Sequence, residues 1–267
     1  MGEGDDGGED ILKIYLCDTK LGIVAGKMSK MDSTMTQSGK LLSVLAGLPQ
    51  ARTMPEGVKI DLRTASWTSG IYKVRVEGPV WVGKNGLVGD GQADLKNHGG
   101  PDNVILAYDA EHYPEWRNWL RMPQLELGAF GENFAVAGFT DETVCIGDIW
   151  RVAAWNGAAS ADAAGEGVLL QVSQPRQPCW KLARRIGTPE VVKLTMEKRW
   201  GGWYLRVLKE GYVAAGMTIE RQARPHPEWP VRSAVWTMYE RKKQREQAAL
   251  LAALPEISER WKRELGE

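Results

Sequence analysis

A mainly β chain is predicted, an all-β barrel or sandwich with helices at its periphery and a helical tail at its end. Glycine and proline recur at close intervals from Gly78-Pro79 to Gly157, cutting the middle of the chain into short apolar runs joined by turns. One amphipathic stretch, Asp109 to Leu120, interrupts those runs at helical spacing. Beyond Pro225-His226-Pro227 the sequence turns to Arg, Lys, Glu, Ala and Leu, the mixture of helices with solvated charged faces.

Three segments are expected: a flexible or expression-derived terminus over residues 1–20, a β-barrel domain over 21–224, and a helical segment over 225–267. The acidic, glycine-rich start cannot bury a core, although Ile11 to Leu16 has the look of a short strand. A first barrel strand is expected near Gly22 to Ala25 and a short helix near Gly39 to Leu48. Strands follow at Gly70 to Val76, Pro79 to Val82, Leu87 to Val88, Thr143 to Ile146, Ile149 to Ala154 and Val168 to Val172. Asp109 should cap a helix that turns Tyr113, Trp116 and Leu120 to the core, takes Pro114 in its first turn and leaves His112 on its surface. The Ala- and Gly-rich run Asn156 to Gly167 reads as an insertion in a hairpin. Thr188-Pro189-Glu190 starts a further helix, and Trp203 to Leu208 and Thr218 to Glu220 close the β structure. Pro255 should divide the tail into two helices that bury Trp229, Trp236, Leu250, Leu251, Leu254 and Trp261.

Composition narrows the function. With 267 residues, 43% of them hydrophobic and 25% charged, the chain can bury a sizeable core as one large or two small domains. No apolar stretch approaches the roughly 20 residues needed to span a bilayer, and the acidic start is the reverse of a signal peptide, so a cytoplasmic protein without a membrane partner is expected. Lys+Arg and Asp+Glu both total 34, which argues against binding a nucleic acid polymer through net charge. The cysteines Cys17, Cys145 and Cys179 are odd in number and lack zinc or redox spacing, so any special cysteine works alone.

The segment Ser173-Gln-Pro-Arg-Gln-Pro-Cys179 carries the sharpest signal. It leaves the apolar strand Val168 to Val172, and its two prolines stiffen the backbone that presents Cys179. Arg176 is a permanent cation that would favour the thiolate, the form that attacks carbon or binds soft metals. A small buried thiol in a bent strand exit explains the same residues. A second segment, Gly89-Asp-Gly-Gln-Ala-Asp-Leu-Lys-Asn-His-Gly-Gly-Pro-Asp102, gathers glycines with Lys96 and His98 and suits an anion, or simply a solvated turn. A third, Phe130-Gly-Glu-Asn-Phe134, sets Glu132 and Asn133 between aromatic anchors, to orient a ligand or to make an Asx-type turn. A Cys179–His98 pair of the hydrolase type is also open, with no orienting Asn or Asp assignable.

These three segments in this order resemble the MOSC domain family, the domain named for the C-terminal part of molybdenum cofactor sulfurase, and within it the bacterial YiiM-like proteins. The likeness runs from about Gly70 to Glu220. It implies a MOSC-type β-barrel that binds a molybdenum–pterin cofactor, with Cys179 as the metal's protein ligand. Lys96, His98, Gly99, Gly131, Asn133, Ser173 and Arg176 become the candidate cofactor contacts. The implied activity is reduction of N-hydroxylated compounds, notably purine bases such as 6-hydroxylaminopurine, with Cys179, His98 and Glu132 as catalytic candidates and Asp148 as a further proton donor. Electrons would come from a separate flavoprotein or haem protein, and a homodimer is left open. A non-enzymatic carrier of the cofactor, or of sulfur on Cys179, is the alternative.

Overall fold

The computed structural model describes residues 37–53, 66–95, 99–153 and 167–267. The expected strand at Gly22 to Ala25, the segment 1–20, Cys17, Lys96, His98 and the body of the insertion after Asn156 lie outside the described residues. In the first half of the chain the strands are β1 (Ser38–Ala46), β2 (Gln50–Thr53), β3 (Ser66–Ser69), β4 (Val74–Arg75), β5 (Val80–Gly83), β6 (Gly86–Leu87) and β7 (Ile105–Asp109). Then come β8 (Phe134–Ala137), β9 (Ile149–Val152), β10 (Val168–Pro175), β11 (Trp203–Lys209), β12 (Gly211–Val213) and β13 (Thr218–Ala223). The helices are α1 (Tyr113–Leu120), α2 (Trp180–Ile186), α3 (Glu190–Lys198), α4 (Val231–Tyr239), α5 (Arg245–Ala252) and α6 (Glu259–Leu265).

Seven strands close a barrel in the order β13-β9-β10-β11-β7-β8-β1, with β1 returning to pair β13 and β4 attached to the far end of β1. Closure removes the free edges that an open sheet would expose. Among the described strands only β7 and β8 run parallel, because the chain between them crosses over through α1. The inward residues alternate as a barrel demands: Trp203, Leu205 and Val207 on β11, and Val168, Leu170 and Val172 on β10. Trp150 packs edge-on to Trp203 at 5.7 Å within this core. A second apolar cluster joins Tyr113 and Trp116 of α1 to Phe130, Leu182, Ile186 and Val191, so α1 to α3 share one packing centre.

Several expectations are corrected. The residues expected as a helix near Gly39 to Leu48 form β1, since Ser38 to Lys40 pair with β13 and Lys40 to Val44 with β8, and those ladders outweigh the run's local helix preference. Strands β7 and β8 carry no alternation because they are almost wholly buried, so no period-2 pattern marks them. Thr143 to Ile146 is a turn with a single bridge from Cys145 to Pro230. Only Val74 and Arg75 of the Gly70 to Val76 run pair as strand. The helix at Asp109 begins as a 3₁₀ turn, capped by Asp109 through the Glu111 N–H at 2.9 Å, and His112 is buried rather than superficial. Its ring stacks on Trp200 at 3.7 Å and meets the Asp141 carboxylate at 3.1 Å.

The tail holds three helices, because Glu240 to Gln244 break the chain between α4 and α5 ahead of Pro255. Its Val235, Met238, Leu251, Trp261 and Leu265 belong to the same apolar cluster as the barrel interior. No helix among the described residues is long and apolar enough to cross a membrane.

Candidate active site

Strand β10 delivers the key segment to the surface. Its register with β11 slips between Val172, opposite Leu205, and Gln174, opposite Tyr204, so Ser173 is the extra residue of a β-bulge. The Ser173 hydroxyl donates to the carbonyls of Asp102 at 2.5 Å and Tyr204 at 3.1 Å. Ser173 is therefore wholly buried and fastens the bulge, away from any ligand-facing wall. Past Pro175, the Arg176 N–H donates to the Gly202 carbonyl at 2.9 Å. Gly201 permits that approach, for a Cβ there would stand 2.1 Å from the Arg176 carbonyl oxygen. Cys179 then opens α2, partly exposed and outside any disulfide. Helix α2 is pinned to β3 by Arg184, whose guanidinium lies over the rings of Trp67 at 4.5 Å and Trp180 at 4.9 Å.

These residues border a cleft of about 660 Å³, open mouth included. Cys179, Lys181, Arg176 and Tyr204 form one wall, and Phe130, Gly131, Asn133 and Leu106 another. Lys73, Asp90, Gln92 and Asn103 complete it. All three sequence segments thus meet in one place, Lys96 and His98 excepted because they lie outside the described residues. Gly99 is off the wall, folded against Leu95, whose carbonyl oxygen a Cβ would meet at 2.4 Å.

Asn133 is the node of the floor. Its Oδ1 accepts from the Leu106 N–H at 3.0 Å, and its Nδ2 donates to the Leu45 carbonyl at 3.2 Å and to Asp90 Oδ2 at 2.9 Å. Asp90 Oδ1 also accepts from the Gly47 N–H at 2.9 Å and from Lys73 Nζ. Lys73 is only 7% exposed at its side chain, and burial pulls its pKa down against the opposing pull of Asp90 and Glu132.

Glu132 does not serve the cleft. Wholly buried, it accepts from the Tyr113 hydroxyl at 2.5 Å and from the N–H groups of Gly128 at 2.6 Å and Phe130 at 3.2 Å. It is the anchor of a tight turn, and burial raises its pKa. Asp148 is likewise committed: it takes two bonds from Arg224, at 2.9 and 2.6 Å, and one from the Cys145 N–H at 3.0 Å. Neither carboxylate reaches the cleft wall.

Two buried polar atoms on the cleft-lining residues lack any partner among the described residues. Arg176 is 5% exposed; its Nη2 donates to the Phe130 carbonyl at 3.3 Å, but its Nη1 donates to nothing. Asn103 Oδ1, on a 3₁₀ turn whose carbonyl is held by Gln92 at 2.7 Å, accepts from nothing. A buried group left so calls for a partner, and on a cleft wall a bound ligand or an ordered water can supply it. Sequence reading missed Lys73, Asn103, Tyr204 and Lys181; the Gly201-Gly202 pair ahead of β11 was the available signal for the backbone that seats Arg176.

Fold and cleft together define a closed barrel that presents one thiol beside a buried, half-satisfied guanidinium. The family model of the MOSC domain matches residues 94–220. Protein YiiM of Escherichia coli is 36% identical over 168 residues, 62% of this chain and 69% of that protein. A protein named reductase from Gibberella moniliformis is 37% identical over 207 residues, which is 76% of this chain and 33% of that longer one. The crystal structure of YiiM from Geobacillus stearothermophilus superimposes with a TM-score of 0.65 at 29% identity, covering 85% of this chain and 97% of that one. The chain belongs to the MOSC domain family, among its YiiM-like proteins.

Proposed function

We propose that this protein is a molybdenum-cofactor-dependent reductase that converts N-hydroxylated compounds to amines, N-hydroxylated purine bases such as 6-hydroxylaminopurine foremost. The observation that carries this reading is the pair of unsatisfied buried atoms, Arg176 Nη1 and Asn103 Oδ1, on the walls of the cleft that Cys179 borders. The fungal relative's name, reductase, supports it. The residues present fit a molybdenum–pterin group: a soft sulfur donor, a buried cation for its phosphate, and a buried acceptor for a ring N–H.

When bound, the cofactor supplies the two-electron chemistry of the reaction. Cys179 would hold the metal through Sγ, from a backbone that α2 and the Arg184 sandwich keep still. Arg176 would grip the phosphate with the donor it leaves unused, and Lys181 adds a second positive charge to the wall. Tyr204, whose hydroxyl burial pushes up while the neighbouring Arg176 draws it back, stays neutral and able to donate a hydrogen bond. A separate flavoprotein or haem protein of the cytoplasm returns the electrons.

The test is metal analysis joined to turnover. About one molybdenum per chain is expected in protein expressed with the cofactor, absent from Cys179→Ser and reduced in Arg176→Ala, with reduction of 6-hydroxylaminopurine lost in both. Molybdenum undiminished in Cys179→Ser would sink the ligand assignment, and a persulfide on Cys179 without turnover would favour the carrier reading.

A further inference from the structure

Reductive loss of an N-hydroxyl group needs a proton on the departing oxygen: R–NH–OH takes up two electrons and two protons, the N–O bond breaks, and an amine and water form. The flavoprotein or haem protein named above supplies the electrons. The carboxylates expected to give the proton, Glu132 and Asp148, are tied into turns away from the cleft. A different group on the wall is placed for it.

We propose that Lys73, held by Asp90, is the general acid that protonates the leaving oxygen, an assignment that rests on the reductase reading. Lys73 is nearly enclosed, yet it lines the cleft that holds Cys179, Arg176 and Asn103. Its partner is itself fixed: Asp90 is bonded to the Gly47 N–H and the Asn133 amide, so the ammonium is held at one point on the wall. A buried ion pair contributes little to stability that a well-packed apolar pair would not, so its presence on a ligand-facing wall asks for a chemical reason. Burial loosens the proton, Asp90 and Glu132 tighten it, and the balance lies below the ordinary lysine range, nearer the working pH at which a general acid is effective.

Lys73 also lines a second open cleft, shared with Arg75, Arg117 and Arg185. The lysine therefore stands between the reaction space and water on another side. After the ammonium gives its proton to the hydroxyl oxygen, which leaves as water, the neutral amine takes a proton back from that solvent. The nitrogen of the product takes the second proton from water.

Lys73→Arg decides the matter, because a guanidinium keeps the charge and the contact with Asp90 but does not release a proton at working pH. With molybdenum content and melting temperature close to wild type, its turnover of an N-hydroxyl substrate should fall about 100-fold or more. The matching O-acetyl substrate, whose carboxylate leaves without a proton, should be reduced at nearly the wild-type rate. Lys73→Gln, which leaves Asp90 without its cation and so melts lower, should show the same split between the two substrates, and wild type alone should lose turnover as pH rises through the lysine's lowered range. In cofactor-free protein, the Lys73 amine resonance should shift on adding 6-hydroxylaminopurine. Equal impairment on both substrates, an unchanged rate, or an unmoved resonance overturns the assignment while leaving the reductase reading intact. Molybdenum-loaded wild type inactive on both substrates overturns the reductase reading, and this assignment with it.

Discussion

Asn133 shows how much of the site rests on single side chains. Its amide makes three buried bonds at once, so Asn133→Ala leaves the Leu106 N–H, the Leu45 carbonyl and one Asp90 oxygen short of a partner. A loss of about 2–4 kcal/mol of stability is expected in chemical denaturation. Gly131 is held at φ +79, and a Cβ would lie 2.6 Å from Ile71 Cγ1. Gly131→Ala should therefore cost about 1–2 kcal/mol from the backbone alone, and a melting temperature equal to wild type would contradict it. The thiols should separate by reactivity. Cys145 is buried with its pKa pushed up to about 12, so iodoacetamide at about pH 8 should modify the Cys179 peptide of the folded protein and spare the Cys145 peptide, as read by mass spectrometry.

At the scale of elements, the bulge in β10 and the capped turn before α1 do the positioning. The bulge turns Ser173 into a fastener and lets Arg176 settle on Gly202, whose N–H is in turn held by Asp141 at 3.1 Å. The same Asp141 meets His112, and Asp109 lies 3.6 Å from that ring, so the cap of α1 sits in a buried ionisable cluster. Burial raises the Asp109 pKa to about 6, while its own cap bond and His112 oppose the rise. A carboxyl with a raised folded pKa binds its proton more tightly in the folded state, so its contribution to stability declines as pH rises from about 4 to about 6. Asp109→Asn keeps the cap oxygen and removes the titration. The melting temperature of the variant relative to wild type should therefore climb across that window and level off above it; a difference independent of pH would refute the assignment.

At the largest scale, barrel and tail share one apolar core. Trp261 of α6 is fully buried in the barrel's own apolar cluster, and the cap of that helix, Ser258, bonds Gln174 and the Ser173 carbonyl at the strand exit beside Arg176. Trp261→Ala should cost about 3–5 kcal/mol and shift the single unfolding transition as a whole, and a separate early transition for the tail would show it to be independent.

What the sequence determined by itself was local. Glycine and proline spacing gave the β class, the Pro-bounded Arg176 to Cys179 run gave the thiol and its cation, and the resemblance gave the family. Strands β7 and β8 escaped because burial on nearly all sides erases the alternation that marks a strand. Only the tertiary structure decided which polar residues face the cleft. Glu132 and Ser173 read as ligand contacts but turn inward to satisfy backbone groups, while Lys73 and Tyr204 arrive from outside the three segments and Asn103 from the turn just past the second. A turn's sequence fixes its backbone, but the direction of its side chains against water or core is set by the elements packed around it. That packing is nonlocal: it exists only once β1, β7, β10 and β11 have closed the barrel.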